Sequence, residues 1–317
     1  MVEEGILRAV SDPLSQLREA AAAVAQRARH VRIEEEAIPK YARSLPLGLP
    51  PAGPDPELHL TEGTREQLAA FWLTLDAINF GSGWFPTLRK HAGRSGYATI
   101  AGGMRDRLTA AGPWSAPELA GIDPAEVADA LGQDPRHELM ELFARSLRSL
   151  GDHVGAEHGG SFAAVIDAAH GSAAALVSHL AGWDCFMDSS TYGVLTLPFL
   201  KRAQIAAADF ARAGLAEFPD LNRLTMFADN LVPHVLRLDG ILRFEDDLLG
   251  RIERGELIEH GSAEEVEIRA CAVQAVELIV AERPVTRAAD VDQLLWLRGQ
   301  GPRYKASPRH RSRCTAY

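Results

Sequence analysis

Residues 264–281 read EEVEIRACAVQAVELIVA and give a clear indication of the fold class. Apolar side chains recur in this segment at spacings of three and four residues: Val266, Ile268, Ala272, Val273, Val276 and Ile279. Such spacing is typical of a helix that turns one face to a hydrophobic core and keeps its Glu and Arg residues elsewhere. The segment is therefore predicted to be a core-facing helix.

The same periodicity recurs along most of the chain, whereas the alternation of Val, Ile and Thr with polar residues that strands require is scarce. Helices are predicted at 65–78, 138–151, 162–180 and 199–213, together with a first helix that begins at Ser11, Asp12 and Pro13. The glycine-rich stretch 93–103 is expected to hold a little strand or hairpin structure. Five prolines between Leu45 and Pro56 predict a loop that serves as a linker or a lid. The prediction is an all-α fold, mainly helical with minor β structure, in a single domain over residues 1–317.

The composition is that of a globular protein with an acidic surface. Of 317 residues, 46% are hydrophobic and 24% are charged, and the formal net charge is −10. A surface of this sign repels nucleic acid, so duplex binding is disfavoured and a phosphate site has to be a local cluster of Lys and Arg. The C-terminal tail 301–317 is basic and is expected to be a flexible surface tail, the alternative being a second candidate phosphate site.

Cysteine usage and hydropathy indicate a reducing, cytoplasmic setting. Cys185, Cys271 and Cys314 lie far apart without paired spacing, which predicts neither a disulfide framework nor a zinc cage. No export signal is visible, and the apolar runs are too short or too interrupted to cross a bilayer. His153 and His158 are five residues apart with no third ligand flanking them, so no metal site is predicted.

The segment 224–233, LTMFADNLVP, places an acidic residue between an apolar run and a proline. Asp229 is therefore expected at a helix entrance with apolar neighbours. On pattern alone it is an N-cap, because aspartate commonly accepts hydrogen bonds from the first amides of a helix. The alternative is catalytic. A carboxylate beneath a ribose stabilises the positive charge that develops as a C–N glycosidic bond breaks, and it could orient or deprotonate the attacking water.

Five ordered blocks extend from about the first quarter of the chain to its end: LDAINF at 75–80 followed by Trp84, FLKRAQI at 199–205, TMFAD at 225–229 with Pro233, EVEIRAC at 265–271 and RHRSRC at 309–314. In this order they resemble the queuosine 5'-phosphate N-glycosylase family, whose members hydrolyse queuosine monophosphate and release queuine. The resemblance implies an all-α fold similar to that of helix-hairpin-helix DNA glycosylases. It also implies that Phe227 and Asp229 contact the substrate and that Asp229 is catalytic.

Some positions of the family pattern differ in this chain. Eukaryotic members tend to read Asn-Phe-small-Phe-Trp, whereas here Asn79 and Trp84 enclose Phe-Gly-Ser-Gly, so the loop before the aromatic residue differs. Asp292 matches an acidic position near the C-terminus, while Gln293 and Leu297 stand where family members carry a Tyr and a second acid. Asn79, Trp84 and Asp292 match family positions and are predicted to contact the substrate. Gln293 and Leu297 do not match and are not included among the predicted site residues.

Further residues in family-like blocks are candidates for binding the substrate. Lys201 and Arg202 are the first candidates for its phosphate, the alternative being a solvated pair. His59 is a candidate hydrogen-bond donor to the phosphate or the ribose, the alternative being a structural histidine. Asp188 either supports the site or caps and pairs locally. Phe227 is predicted to be an aromatic wall for the base, the alternative being plain core packing.

The predicted activity is that of an N-glycosidase that needs no metal or cofactor and acts as a monomer. Its predicted partner is a small nucleotide, queuosine 5'-monophosphate. No nucleic-acid or membrane partner is predicted. Two rivals stay open: a nucleic-acid-binding or DNA-repair module of related fold, and a non-catalytic carrier of the deazapurine nucleotide. Salt-sensitive DNA binding without nucleotide hydrolysis favours the first rival, and stoichiometric binding without release of free base favours the second.

Overall fold

A computed structural model describes residues 12–48, 53–90 and 93–317. The protein is 57% helical with 4% strand in small sheets, which confirms the predicted mainly helical fold with minor β structure. Ser11, predicted at the start of the first helix, and residues 49–52 of the proline-rich segment lie outside the described residues. Among the described helices, none has the combination of length and hydrophobicity that crossing a lipid bilayer demands.

The described part of the chain forms fifteen α-helices. They are α1 (Pro13–Ala25), α2 (Ile38–Ser44), α3 (Arg65–Ala77), α4 (Gly96–Ala111), α5 (Ala116–Gly121), α6 (Pro124–Leu131), α7 (Glu138–His158), α8 (Phe162–Asp167), α9 (Ala173–Leu180), α10 (Lys201–Arg212), α11 (Leu231–Leu238), α12 (Asp246–Glu253), α13 (Ala263–Ala281), α14 (Ala288–Gly299) and α15 (Pro302–Lys305).

Two small antiparallel sheets connect the helices. Their strands are β1 (Val31–Ile33), β2 (Ser190–Tyr192), β3 (Leu195–Leu197) and β4 (Leu242–Phe244). β1 pairs with β4 so that Val31 lies opposite Phe244, and β2 pairs with β3 so that Ser190 lies opposite Leu197. The β1–β4 pair thereby ties the N-terminal region to the segment that follows α11.

The start of α1 is as predicted for the residues that the structure describes. The Oδ1 atom of Asp12 accepts hydrogen bonds from the N–H groups of Leu14 and Ser15, and Pro13 occupies the first helical turn. These contacts satisfy amides that have no partner within the helix, and proline at this position loses no helical hydrogen bond.

α13 is buried on all sides rather than along one face. Glu265, Glu267 and Arg269 are as inaccessible to solvent as the apolar residues of the helix. Glu267 is accommodated because its Oε2 atom accepts hydrogen bonds from three consecutive backbone N–H groups, those of residues 29–31. The predicted helix is confirmed, but the expectation that its charged residues avoid the core is wrong, since paired charges can be buried.

The single helix predicted over 162–180 is two helices, α8 and α9. His170 and Gly171 both have positive φ values, +49° and +76°, which right-handed helices do not accommodate. Ser172 then caps α9 by accepting from the N–H of Ala175, while Asp220 accepts from the N–H groups of Ala173 and Ala174. The helical period continues across the break, so periodicity alone could not reveal it.

The glycine-rich stretch 93–103 is helical from Gly96 onward, which corrects the expectation of a strand or hairpin. Ser95 caps α4 by accepting a hydrogen bond from the N–H of Ala98. Ile100, Met104 and Leu108 then follow at four-residue spacing and are buried. Burial of this apolar row outweighs the cost of glycine in a helix, about 1 kcal/mol for each residue.

Two hydrophobic clusters form the interior. One gathers the buried faces of α3 and α7 to α10, and the other surrounds α13 together with α1, α11 and α14. Phe227 belongs to the first cluster, whereas its neighbours Met226 and Ala228 belong to the second. The segment before α11 therefore lies at the junction of the two clusters.

Candidate active site

A cavity of about 1010 Å³ opens at this junction. It is large enough for a nucleotide, because pockets for small molecules are roughly 300–1,000 Å³. Six of the residues predicted from sequence line it: Asp229, Phe227, His59, Asn79, Lys201 and Asp292. The other three predicted residues, Trp84, Arg202 and Asp188, are not among its lining residues.

The segment that presents Asp229 is held from both sides. The side-chain amide of Gln204 in α10 bonds to Thr225 twice: Thr225 N–H donates to Oε1 at 2.8 Å, and Nε2 donates to the Thr225 hydroxyl at 3.0 Å. Two residues later, the N–H of Phe227 donates to Oδ1 of Asp292 at 3.0 Å. These bonds fix an extended segment whose polar groups would otherwise be buried without partners.

Asp229 is both an N-cap and a cavity residue. Its Oδ1 atom accepts hydrogen bonds from the N–H groups of Leu231 at 2.8 Å and Val232 at 3.0 Å, which caps α11. The same side chain lines the cavity and is partly exposed to it. Within the described part of the chain, the hydrogen bonds to this carboxylate all reach Oδ1. The two readings of Asp229 from sequence are therefore compatible, with one oxygen for the cap and the other for a ligand.

Asp292 lies beside Asp229 and is fully enclosed. Burial raises the pKa of the Asp292 carboxyl well above its ordinary value, and the negative charge of Asp229 raises it further. The hydrogen bond from Phe227 works in the opposite direction but is the smaller effect. Protonation of Asp292 is therefore favoured over that of an exposed aspartate, and its protonated form can donate a hydrogen bond.

Lys201 carries a positive charge into the same cavity. Its Nζ atom donates to the backbone oxygen of Asn79 at 2.7 Å and to Oδ1 of the same residue at 3.2 Å. Burial lowers the pKa of Lys201 to about 8, although Asp229 opposes this change. The ammonium group is thus ionised at neutral pH and begins to lose its proton in mildly alkaline solution.

Arg202 points away from the cavity into the protein interior. Its Nη1 atom donates to the backbone oxygen of Ala77 at 2.5 Å, and its guanidinium lies 5.0 Å from the ring centroid of Phe80. The side chain is 1% exposed, so it is not the solvated charge that the sequence suggested as the alternative. Arg202 joins α10 to the end of α3 and supports the cavity wall from behind.

Asp188 belongs to a buried ion-pair network beneath the cavity. Its Oδ2 atom accepts from the backbone N–H of Lys201 at 3.1 Å and from Nη2 of Arg269 at 2.6 Å. Arg269 also lies 3.5 Å from Glu265 and donates to the backbone oxygen of Ala228 at 2.9 Å. Although burial opposes ionisation, Arg269 and His260 lower the pKa of Glu265 to about 2. The network therefore holds the residue immediately before Asp229.

His59 lines the cavity as an uncharged ring. Its Nδ1 atom accepts a hydrogen bond from the N–H of Asp55, and its Nε2 atom bonds to the hydroxyl of Tyr97 at 2.9 Å. Burial lowers the pKa of His59 to about 4, so the ring is neutral at physiological pH. Both nitrogens already have partners, and the ring lies tilted beside that of Trp72 with 4.8 Å between the centroids.

Trp84 is buried beside α7 rather than in the cavity wall. Its indole N–H donates to Glu138 at 2.7 Å, and the guanidinium of Arg313 lies over its ring. Other aromatic residues line the cavity, including Tyr97 and Trp296, whose ring centroids are 5.5 Å apart. Trp296 follows Asp292 by four residues on α14, a spacing that places both on one helix face and could have revealed it.

The basic tail is folded against the cavity, which corrects the expectation of a flexible surface segment. Arg309 and Arg311 line the cavity, and His310 and Ser312 are buried. Asn230, next to Asp229, donates to the backbone oxygen of His310 at 3.0 Å. The tail also packs on Gly83, where an added Cβ would lie 2.3 Å from the backbone oxygen of Ser312, so only glycine permits this approach.

A second carboxylate pair, Asp209 and Asp76, adjoins the cavity. Asp209 lines the cavity and forms an ion pair with Arg212 at 3.1 Å, while Asp76 is fully buried behind it. Burial raises the pKa of both carboxyl groups, and the negative charge of Asp209 raises that of Asp76 further. Asp76 therefore keeps a proton when Asp209 is ionised.

Comparison with known proteins is consistent with this cavity chemistry. The family described as "Queuosine salvage protein" matches residues 58–317. A Sphaerobacter thermophilus protein named "Queuosine 5'-phosphate N-glycosylase/hydrolase" is 36% identical over 308 residues, which is 93% of this chain and 95% of that protein. Proteins of the same name from Nematostella vectensis and Mus musculus are 33% and 29% identical, over 71% and 96% of this chain and 69% and 99% of theirs. These matches confirm the resemblance seen in the five sequence blocks, and the chain belongs to the queuosine salvage protein family.

Proposed function

We propose that this chain hydrolyses the N-glycosidic bond of queuosine 5'-phosphate and releases queuine and ribose 5-phosphate. Relatives that carry the name of this activity support the proposal across nearly the whole chain. The single structural observation that carries it is the Oδ2 atom of Asp229, which has no hydrogen-bond partner among the described residues and lies in a cavity of nucleotide size that Asp292 also lines.

The reaction requires one water molecule and no further reactant. The bond between the anomeric carbon and the base nitrogen breaks, a bond from the same carbon to the water oxygen forms, and a water proton is transferred to the base. Positive charge builds on the ribose during this step, and the Asp229 carboxylate stabilises it or orients the water. A 7-deazapurine base lacks the ring nitrogen that ordinary purine hydrolases protonate, so hydrogen bonds to its pyrimidine edge have to assist departure. We assign one of them to Asp292, whose pKa is raised by burial, so that its protonated form is favoured.

The base and the phosphate are assigned to different parts of the cavity. Phe227 and Trp296 are aromatic surfaces on which a planar base can stack. Lys201, Arg309 and Arg311 supply local positive charge in a protein whose net charge is −10, and a phosphate requires such a cluster. We assign the phosphate to these three residues, of which Lys201 was a candidate from sequence.

The setting of the enzyme is part of the same proposal. We assign the chain to the cytoplasm as a monomer with a single domain, acting on a free nucleotide and not on nucleic acid. The three cysteines are unpaired and buried, as in proteins of reducing compartments. The acidic net charge disfavours a nucleic-acid partner.

The proposal is tested by incubating the protein with queuosine, queuosine 5'-monophosphate and guanosine monophosphate, followed by chromatography for released base. Hydrolysis of queuosine 5'-monophosphate alone is expected. Binding of that nucleotide in a one-to-one ratio without free base would instead identify a carrier. Salt-sensitive binding to DNA without hydrolysis would identify a nucleic-acid module.

The Lys201 ammonium predicts a specific pH dependence. Because its pKa is about 8, the cation is present below that pH and is lost above it. We expect the KM for the 5'-phosphate to rise roughly tenfold between pH 7 and pH 9, whereas the substrate phosphate, with a second pKa of about 6, does not change charge in this range. In Lys201→Met, the KM should be high already at pH 7 and nearly independent of pH.

The matched control is Lys40→Met, which removes an exposed lysine of α2 outside the cavity lining. It should keep the pH profile of the unmodified protein. A KM that rises with pH as steeply in Lys201→Met as in the unmodified protein would assign the titration to another group.

A further inference from the structure

A cluster of potential metal ligands lies outside the catalytic cavity, where α7 and α9 end. Nε2 of His158 and Nε2 of His179 are 2.9 Å apart, and Oε2 of Glu157 is 3.6 Å from Nε2 of His179. One ligand atom from each of the three side chains lies within 4.8 Å of the other two. None of the three residues lines the cavity that contains Asp229. The cluster therefore lies apart from the lining of that cavity.

The backbone favours a cation at this place. His158 is the last residue of α7, which ends at Gly159 in the left-handed conformation, and His179 lies in the last turn of α9. The C-terminal end of a helix carries a partial negative charge of about half an elementary charge. Two such ends and one carboxylate converge on the cluster, so its electrostatics suit a divalent cation.

Neighbouring side chains hold the Glu157 carboxylate in place. His153 Nδ1 bonds to its Oε1 atom at 2.6 Å, and the indole N–H of Trp183 donates to Oε2 at 3.2 Å. The His153 ring stacks on Trp183 with 5.0 Å between centroids and 8° between planes, which fixes both partners. Hydrogen bonds of this kind orient the ligands in known metal sites.

We propose that Glu157, His158 and His179 bind one divalent transition-metal ion of the zinc type. Two imidazoles with one carboxylate is a donor set that suits zinc and its neighbours, whereas Mg²⁺ and Ca²⁺ prefer oxygen ligands alone. With metal–ligand distances of about 2.1 Å, the separations of 2.9 Å and 3.6 Å subtend angles of roughly 90° and 120° at the metal. These angles bracket tetrahedral geometry. The side chains of Glu157 and His179 are about a third exposed, so water can complete the coordination.

The bound ion would clamp the C-terminal end of α7 to that of α9. Glu157 and His158 are adjacent in sequence, but His179 lies 21 residues after His158, so the spacing along the chain did not indicate that the three side chains meet. Without a metal, the 2.9 Å contact is an ordinary N–H···N hydrogen bond between two imidazole rings. Binding measurements distinguish the two arrangements.

The test uses untagged protein, freed of metal with a chelator and titrated with zinc sulfate by isothermal titration calorimetry. We expect one equivalent of Zn²⁺ to bind the unmodified protein. His179→Gln should lower the affinity at least about tenfold, because loss of a ligand costs no less than loss of an outer-shell partner. His170→Asn is the matched control, since His170 is exposed in the α8–α9 connection with φ +49°, a conformation that asparagine tolerates. This control should bind Zn²⁺ like the unmodified protein.

A second readout separates binding from a folding defect. Zn²⁺ should raise the Tm of the unmodified protein and of His170→Asn, because a ligand of the native state stabilises it, but not the Tm of His179→Gln. Glu157→Gln keeps the size of the side chain and should also lose the zinc-dependent rise. The proposal is overturned if the unmodified protein binds no Zn²⁺, or if His179→Gln and Glu157→Gln bind it with undiminished affinity.

Discussion

Replacement of Asp229 with asparagine is expected to lower kcat by at least about 10³-fold while leaving nucleotide binding largely intact. The substitution removes the negative charge that faces the cavity but keeps the shape of the side chain. Asparagine is also as good an N-cap as aspartate, so the bonds to Leu231 and Val232 can persist and α11 should still begin correctly. Single-turnover hydrolysis and equilibrium binding of queuosine 5'-monophosphate measure the two effects separately.

The matched control for this charge removal is Asp123→Asn. Asp123 caps α6 by accepting from the N–H groups of Ala125 and Glu126, far from the cavity lining. The Asp123→Asn variant should retain full activity, because the substitution alters only the cap of α6. Wild-type turnover in Asp229→Asn would reduce Asp229 to the capping role that its sequence pattern first suggested, and the proposed mechanism would have to be given up.

Replacement of Arg269 with methionine is expected to lower the free energy of unfolding by roughly 3–5 kcal/mol. The guanidinium is completely buried between Asp188 and Glu265, so its loss leaves Asp188 without its ion-pair partner in the interior and Glu265 with His260 alone. It also stacks on Phe199, with 3.9 Å from the guanidinium carbon to the ring centroid. Methionine fills similar space but offers no charge and no donors. Urea denaturation followed by circular dichroism measures the change.

The same substitution should reduce activity even where the protein remains folded. Arg269 donates to the backbone oxygen of Ala228, and the next residue is Asp229. Without that bond the carboxylate is free to shift, and a displacement of about 1 Å can cost as much as 10²-fold in rate. The kcat of Arg269→Met, measured well below its unfolding temperature, is therefore expected to fall.

Arg65→Met is the control for removing an arginine from an ion pair. Arg65 bonds to Asp167 through both terminal nitrogens, but both side chains are largely exposed. Exposed pairs contribute about 1 kcal/mol or less, so this variant should unfold close to the midpoint of the unmodified protein. Equal losses in Arg65→Met and Arg269→Met would contradict the role assigned to the buried network.

There is a physical reason why Asp229 both caps α11 and lines the cavity. An N-terminal helix end provides free N–H groups that hold one carboxylate oxygen, and a fixed carboxylate needs no reorganisation when charge develops near it. Phe227 is anchored to one hydrophobic cluster and Ala228 to the other. Asp229 is therefore held where both clusters meet the cavity, and movement of either cluster would displace it.

Local sequence was sufficient for the fold class and for several site residues. Apolar periodicity identified α3, α10 and α13 to within two residues, because burial of an apolar row is the main determinant of helix formation in a protein. It gave the start of α7 but ended that helix at residue 151, whereas α7 continues to His158. The family resemblance pointed to Asp229, Phe227, Asp292 and Lys201, all of which line one cavity. Periodicity could not detect the break at His170, because a positive φ angle interrupts the backbone without changing the apolar pattern.

Only the tertiary structure decided which charges face the ligand and which are buried as support. Lys201 and Arg202 are adjacent in sequence, yet successive residues of a helix point in different directions, so one reaches the cavity and the other the core. The basic tail belongs to the cavity wall because Gly83 allows its backbone to approach and Asn230 binds it. Contacts of this kind join residues that are far apart along the chain, and their energy depends on burial and partners that no local pattern encodes.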